Sequence, residues 1–197
     1  MGEDEIEYVI PEDMVYSRSR LFSSRLNDFY DHSIKTELVV KLPKISKRSF
    51  DLYLNHRLNN DVVDVLGFLD YDSNMRMEFS RLIDLFAVNW RLTDLQVCRD
   101  VVDHIVKTHK KNPKHIVLEP STIQKAYRTL PAKSKLIELM VDICTGHHPQ
   151  DFFVKNREHL PAAFIFDVAV AALHAGDFAN GEAKVREGAA YHEKGRK

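Results

Sequence analysis

The sequence predicts an α+β fold, a small sheet flanked by helices and followed by a helical C-terminal extension. Three observations lead there. Residues 79–105, FSRLIDLFAVNWRLTDLQVCRDVVDHI, hold two helical stripes joined by a short break. Residues 6–10 alternate weakly, and Leu38, Val40 and Leu42 alternate with Glu37, Val39 and Lys41, the period of a strand with one buried face. Beyond Pro120, apolar residues return to helical spacing as far as Ala175.

In the central stretch Phe79, Leu82, Ile83, Phe86 and Trp90 line one face of a helix, while Ser80, Arg81, Asp84 and Arg91 mark a narrow wet side. Thr93 divides this helix from the next. Thr93 and Gln96 have the spacing of a capping box, with Leu92 and Val97 placed as a hydrophobic staple. Leu95, Cys98, Val101, Val102 and Ile105 form the second stripe. The pattern reads as a buried helical hairpin, without chemistry of its own.

Ahead of it, residues 6–10 suggest a short strand. Pro11-Glu12-Asp13 suits the first turn of a helix, where a missing N–H and negative charge are both tolerated. That helix buries Met14, Val15, Leu21, Phe22 and Leu26 and ends near Asn27-Asp28. Residues 38–42 form a second strand, closed by Pro43. Ser46 caps a helix that turns Phe50, Tyr53, Leu54 and Leu58 inward and breaks at Asn59-Asn60. Residues 59–74 take no assignment. After the hairpin, Pro113 stops its second helix. Helices follow through Ile123, Tyr127 and Leu130, through Leu136, Leu139, Met140 and Ile143 to Gly146, and from Pro161 to Ala175. Residues 176–197 are small and charged, with Tyr191 the only large side chain after Phe178, and read as a disordered tail.

The chain has 197 residues, enough for one domain that buries roughly 70% of its unfolded surface without staples. Its 28 Lys and Arg balance 29 Asp and Glu, so no global field draws it to nucleic acid or an anionic membrane. Cys98 and Cys144 fall on apolar helical positions and read as buried thiols in a reducing compartment. The acidic start has no apolar core of a signal peptide, and no apolar run approaches the roughly 20 residues of a membrane span. An intracellular protein, cytoplasmic or nuclear, is expected.

Each candidate site has a plainer reading. Asp70, Asp72 and Asn74 open as a calcium loop does, but Met75 and Arg81 stand where that loop needs Gly and Glu. An acidic turn is the better reading. Cys144, His147 and His148 lack the further ligands that zinc needs, and histidines suit a helix C-terminus. The basic run at 107–115, KTHKKNPKH, offers phosphate contacts but has no interleaved aromatic. A solvated helix end explains it better. Glycine-rich loops and a nucleophile elbow are absent from the sequence. No catalytic residue, metal or cofactor is therefore assigned.

Taken in order, these segments resemble a BTB/POZ domain of the short filamentous-fungal type, over residues 6–175. Tyr8-Val9-Ile10 and Ser19 before Leu21-Phe22 match its first piece, and Val39-Val40-Lys41-Leu42-Pro43 its strand. LIDLFAVNWRLTDLQVCRDVVDHI is similar to its central hairpin. TIQKAYRTLPAKSKLIELMVDIC is similar to the fungal extension, and Tyr191-His192-Glu193 to its tail. The chain departs from the pattern at Pro11-Glu12, and at His56-Arg57 in place of Trp-Leu. It also has too little sequence before Glu5 for the first strand or the dimerising helix, an N-terminally abbreviated member. The resemblance implies a core over 5–111, a helical extension over 113–175 and a tail over 176–197. It implies a non-enzymatic protein–protein interaction module, an adaptor for other BTB proteins or for a cullin ubiquitin-ligase scaffold. Phe29, Tyr30 and Asp31, where relatives carry the contact turn, would be the partner-binding residues. No small-molecule substrate and no membrane is expected, and the oligomeric state stays open. A nucleic-acid-associated regulator that binds through 107–115 is the alternative.

Overall fold

The computed structural model describes residues 8–11, 19–32, 40–42, 45–59, 75–111, 118–147, 150–175 and 185–194. In chain order these form α1 (Arg20–His32), α2 (Lys47–Asn59), α3 (Met75–Leu92), α4 (Leu95–Lys111), α5 (Pro120–Thr129), α6 (Lys135–His147), α7 (Gln150–Asn156) and α8 (Ala162–Ala175), with a 3-10 turn at Gly188–Tyr191. The described residues contain no strand. The expected α+β fold with its small sheet is thereby corrected to an all-helical one. The physical reason lies at Tyr8, Ile10, Val40 and Leu42. Their side chains pack against the cluster of Phe22, Phe50, Tyr53, Val88 and Leu92, while their backbones run without strand pairing. Alternation records one apolar side and one wet side, and an extended segment laid on a helical core has both. Tyr8 is fixed there by its hydroxyl, which donates to Asp51 at 2.6 Å, and by an edge-on contact with Phe50.

The hairpin forms as its periodicity demands. Ile83, Phe86, Leu92, Val97, Val101 and Val102 are all fully buried. The break at Thr93 has a different construction from the expected capping box. Thr93 takes φ 56, and its N–H donates to the Trp90 carbonyl at 3.2 Å, while the Asp94 N–H reaches the Asn89 carbonyl at 2.9 Å. Those two bonds make a Schellman stop, normally built on glycine. The Thr93 hydroxyl donates to the Leu92 carbonyl and accepts from the Leu21 N–H at 3.1 Å. Gln96 turns to Asp100 instead.

Ser19 completes this junction. Its hydroxyl oxygen accepts from the Phe22 N–H, the bond of an N-cap, and its proton goes to the Leu92 carbonyl at 2.6 Å. The start of α1 and the end of α3 therefore satisfy each other's leftover backbone groups. In α2, Ser46 caps as expected by accepting from Ser49 N–H at 3.2 Å. Leu58, expected inward, is 61% exposed, and His56 and Arg57 are buried in its place. Arg57 faces the buried Asp94 at 3.7 Å and lies over the Tyr53 ring. Burial pushes the Tyr53 hydroxyl up to about 12.

A single apolar cluster runs from the hairpin through Leu118, Ile123, Leu136, Met140 and Phe164 to Tyr191. The hairpin and the helices after it share this cluster. Lys125 of α5 strengthens that join by donating to Ser80 and pairing with Asp84 at 2.7 Å on α3. The tail expected to be disordered is corrected for residues 185–194, because Tyr191 is fully buried and its neighbours are bonded to α4 and α6.

Candidate interaction surface

The outer face of α8 carries Ile165, Phe166 and Leu173, three of the six exposed large hydrophobic side chains among the described residues. The helix, AAFIFDVAVAALHA, is apolar nearly all round. Phe164, Val168 and Ala172 seat it in the core, with Phe164 stacked on Phe153 and edge-on to Tyr127. Tyr127 also donates from its hydroxyl to Asp167 at 2.7 Å, and burial together with that carboxylate pushes the phenol well up. This fixes the rotation of the helix. Phe166, Ala169 and Leu173, at offsets of three and seven, then form one stripe facing solvent. Phe166 is 68% exposed and Leu173 79%, with Ile165 beside them. On α7, Val154 is exposed as well. Single exposed apolar residues are ordinary, but these share one face of one helix.

The residues singled out from sequence are placed differently. Phe29, Tyr30 and Asp31 lie within the last turns of α1, which runs on to His32, and not in a turn after a helix. Phe29 is half-buried, whereas the side chains of Tyr30 and Asp31 lie outside the described residues. Asp70, Asp72 and Asn74 lie outside them too, as does His148. Cys144 is a buried free thiol that burial pushes well up, and His147 ends α6. Cys98 is buried likewise, its thiol donating toward the Phe86 carbonyl and pushed up first by burial and then by nearby carboxylates. Among the described residues no group of three or more His, Cys, Asp or Glu is placed to hold a metal.

The basic run divides among different tasks. Lys107 and Lys111 face solvent, Lys110 pairs with Glu187, and His109 is buried. Its residues 112–115 lie outside the described ones. Among the described residues, no helix is long and apolar enough to cross a membrane. Sequence reasoning marks α8 only as too short to span a bilayer. Its apolar residues on every side are the signal for an outward face. No protein-family model, curated protein or solved structure matches the chain.

Proposed function

We propose that this chain is a non-enzymatic protein–protein interaction module whose docking surface is the outer face of α8. One observation carries the reading: Phe166 and Leu173 stay in water on a helix whose opposite side is locked into the core. Large apolar side chains on a rigid helix lose little conformational freedom on binding, and aromatics among them make the energetic centres of interfaces. The partner classes that the BTB resemblance implies, another BTB protein or a cullin scaffold, are the first to try against this face. The reading itself rests on the helix and needs no sheet.

The test is a double variant, Phe166→Ser with Leu173→Ser, compared with the parent chain in pull-downs from the native host. Thermal stability should stay within about 0.5 kcal/mol for each surface change, while the captured partners disappear. An unchanged partner list with unchanged stability would remove α8 from the interface.

A further inference from the structure

We propose that the outer face of α8 pairs with the same face of a second copy of this chain, antiparallel, about a two-fold axis between Asp167 and Val168. The inference rests on the docking reading of α8 and names its partner. Ala162, Phe166, Ala169 and Leu173 are all exposed, and they follow one another at intervals of four, three and four. That is the spacing of a coiled-coil seam, a stripe narrow enough to be covered by one facing helix. Along the seam the side chains run small, large, small, large. Read backwards, the same seam runs large, small, large, small. An antiparallel copy therefore sets Phe166 against Ala169 and Leu173 against Ala162. Each large side chain meets a small one, as close packing between helices requires. Both pairs have their midpoint between Asp167 and Val168, so a single axis serves them, as a self-complementary two-fold contact demands.

Other occupants fit less well. A parallel copy would set Phe166 on Phe166 and Ala169 on Ala169, crowding one layer and emptying the next. A charged helix finds no counter-charge here, because Ala163, Ile165 and Val170 flank the seam and Asp167, the one acid of α8, accepts from the Tyr127 hydroxyl instead. Coiled coils choose foreign partners by charges at those flanking positions. Without them shape is the selector, and this shape is its own complement. Antiparallel pairing also sets the positive end of each helix dipole beside the negative end of the other. Phe164, Val168 and Ala172 hold α8 in the core, so the seam is presented without any segment having to move. From Ala162 to Leu173 the helix rises about 17 Å, at roughly 1.5 Å per residue. A contact of that length, one helix wide, falls short of the roughly 800 Å² per partner of a standard interface. The dimer is therefore a weak one, with a dissociation constant above about 1 μM.

Exchanging large and small across the seam of the full-length chain tests this. In a homodimer Phe166→Ala leaves Ala against Ala in both inner layers, and Ala169→Phe forces Phe against Phe. Mixed in equal amounts, the two variants restore a large side chain against a small one in both. By sedimentation equilibrium the unaltered chain should pass from monomer toward dimer between about 1 μM and about 1 mM. Each variant alone should associate at least tenfold more weakly, and the mixture should recover a heterodimer. Orientation is read by a short bis-maleimide, with Cys98 and Cys144 protected by burial. Ala162→Cys mixed with Leu173→Cys should crosslink, and Ala162→Cys alone should not. A chain that stays monomeric, variants that associate like the parent, a mixture no tighter than its parts, or crosslinking of Ala162→Cys alone would each overturn the proposal. Should the chain stay monomeric while Phe166→Ser with Leu173→Ser still loses its host partners, the second copy falls and the docking face stands. Should those partners be kept as well, both fall. If Ala169→Phe fails to fold, Ala162→Leu mixed with Leu173→Ala makes the same exchange in the outer layers, with the same outcomes.

Discussion

Ser19 and Thr93 offer a direct measure of how α1 is tied to the hairpin. Both hydroxyls donate to one carbonyl, that of Leu92, at 2.6 and 2.7 Å, and Leu92 is fully buried. Ser19→Ala removes an N-cap, typically about 1 kcal/mol, together with a hydrogen bond of about 1 kcal/mol. Thr93→Val keeps the shape of the side chain but leaves the Leu21 N–H without its acceptor, again about 1 kcal/mol or somewhat more. Either single variant leaves the Leu92 carbonyl one donor. The double variant leaves it none among the described residues, and a buried unsatisfied carbonyl costs about 1–3 kcal/mol more. The double loss should therefore exceed the sum of the single losses by at least about 1 kcal/mol, beyond the roughly 0.5 kcal/mol scatter of independent sites. Urea melts followed by circular dichroism, with equal slopes for all four chains, supply the cycle. Thr93→Gly separates the backbone from the hydroxyl. It relieves the left-handed φ of 56 and should be less harmful than Thr93→Val. Additivity within about 0.5 kcal/mol would refute the shared-carbonyl junction.

Two further outcomes follow from the packing and the charges. Phe86→Ala, at a fully buried position of the hairpin, should cost about 3–5 kcal/mol through lost burial and a cavity, and urea melts that coincide with the parent would show the wrong helix face. At Glu138 burial alone would raise the carboxyl, but hydrogen bonds from Arg186 and Lys135 outweigh it and hold the group below its ordinary 4.5. The stabilisation is therefore present above pH 4.5 and lost as pH falls through the depressed value, so the Tm gap between parent and Glu138→Gln should be widest near neutrality and close in acid.

How much was legible follows from which physical signal each part left in the sequence. The hairpin was legible because a helix buried on a wide face repeats its pattern over many turns, and residues 79–105 sustain it on both sides of Thr93. The stop at Thr93 was legible as a position and not as a mechanism. A threonine next to a helix start reads as a cap, and only the fold shows its hydroxyl turned to another helix. The two expected strands do not form at their described residues, 8–10 and 40–42, because a period of two over five residues reports a half-buried segment and says nothing of a partner for the backbone. At Leu58 hydrophobicity misled, since His56 and Arg57 are buried instead, Arg57 facing Asp94.

The C-terminal segment is the sharper case. Composition averages over a stretch, and residues 176–197 average to a chain too polar to bury much. Binding to a preformed groove does not depend on that average. One fully buried tyrosine, two acids on α6 that receive one arginine, and a glycine whose Cβ would displace the Asp103 carboxylate are enough to order ten residues, 185–194, with few apolar side chains among them. Besides the likeness of Tyr191-His192-Glu193 to a family tail, the signal in the sequence was a large aromatic standing alone among small and charged neighbours. Such an isolated anchor has little to gain from a disordered tail, where its apolar area stays in water at roughly 25 cal/mol per Å². An isolated tyrosine near a charged terminus is therefore better read as half of a recognition event, whose other half is a socket on the helices. The outer face of α8 makes the complementary argument. There the apolar side chains are present, and under the proposed function the socket that covers Phe166 and Leu173 comes from a partner.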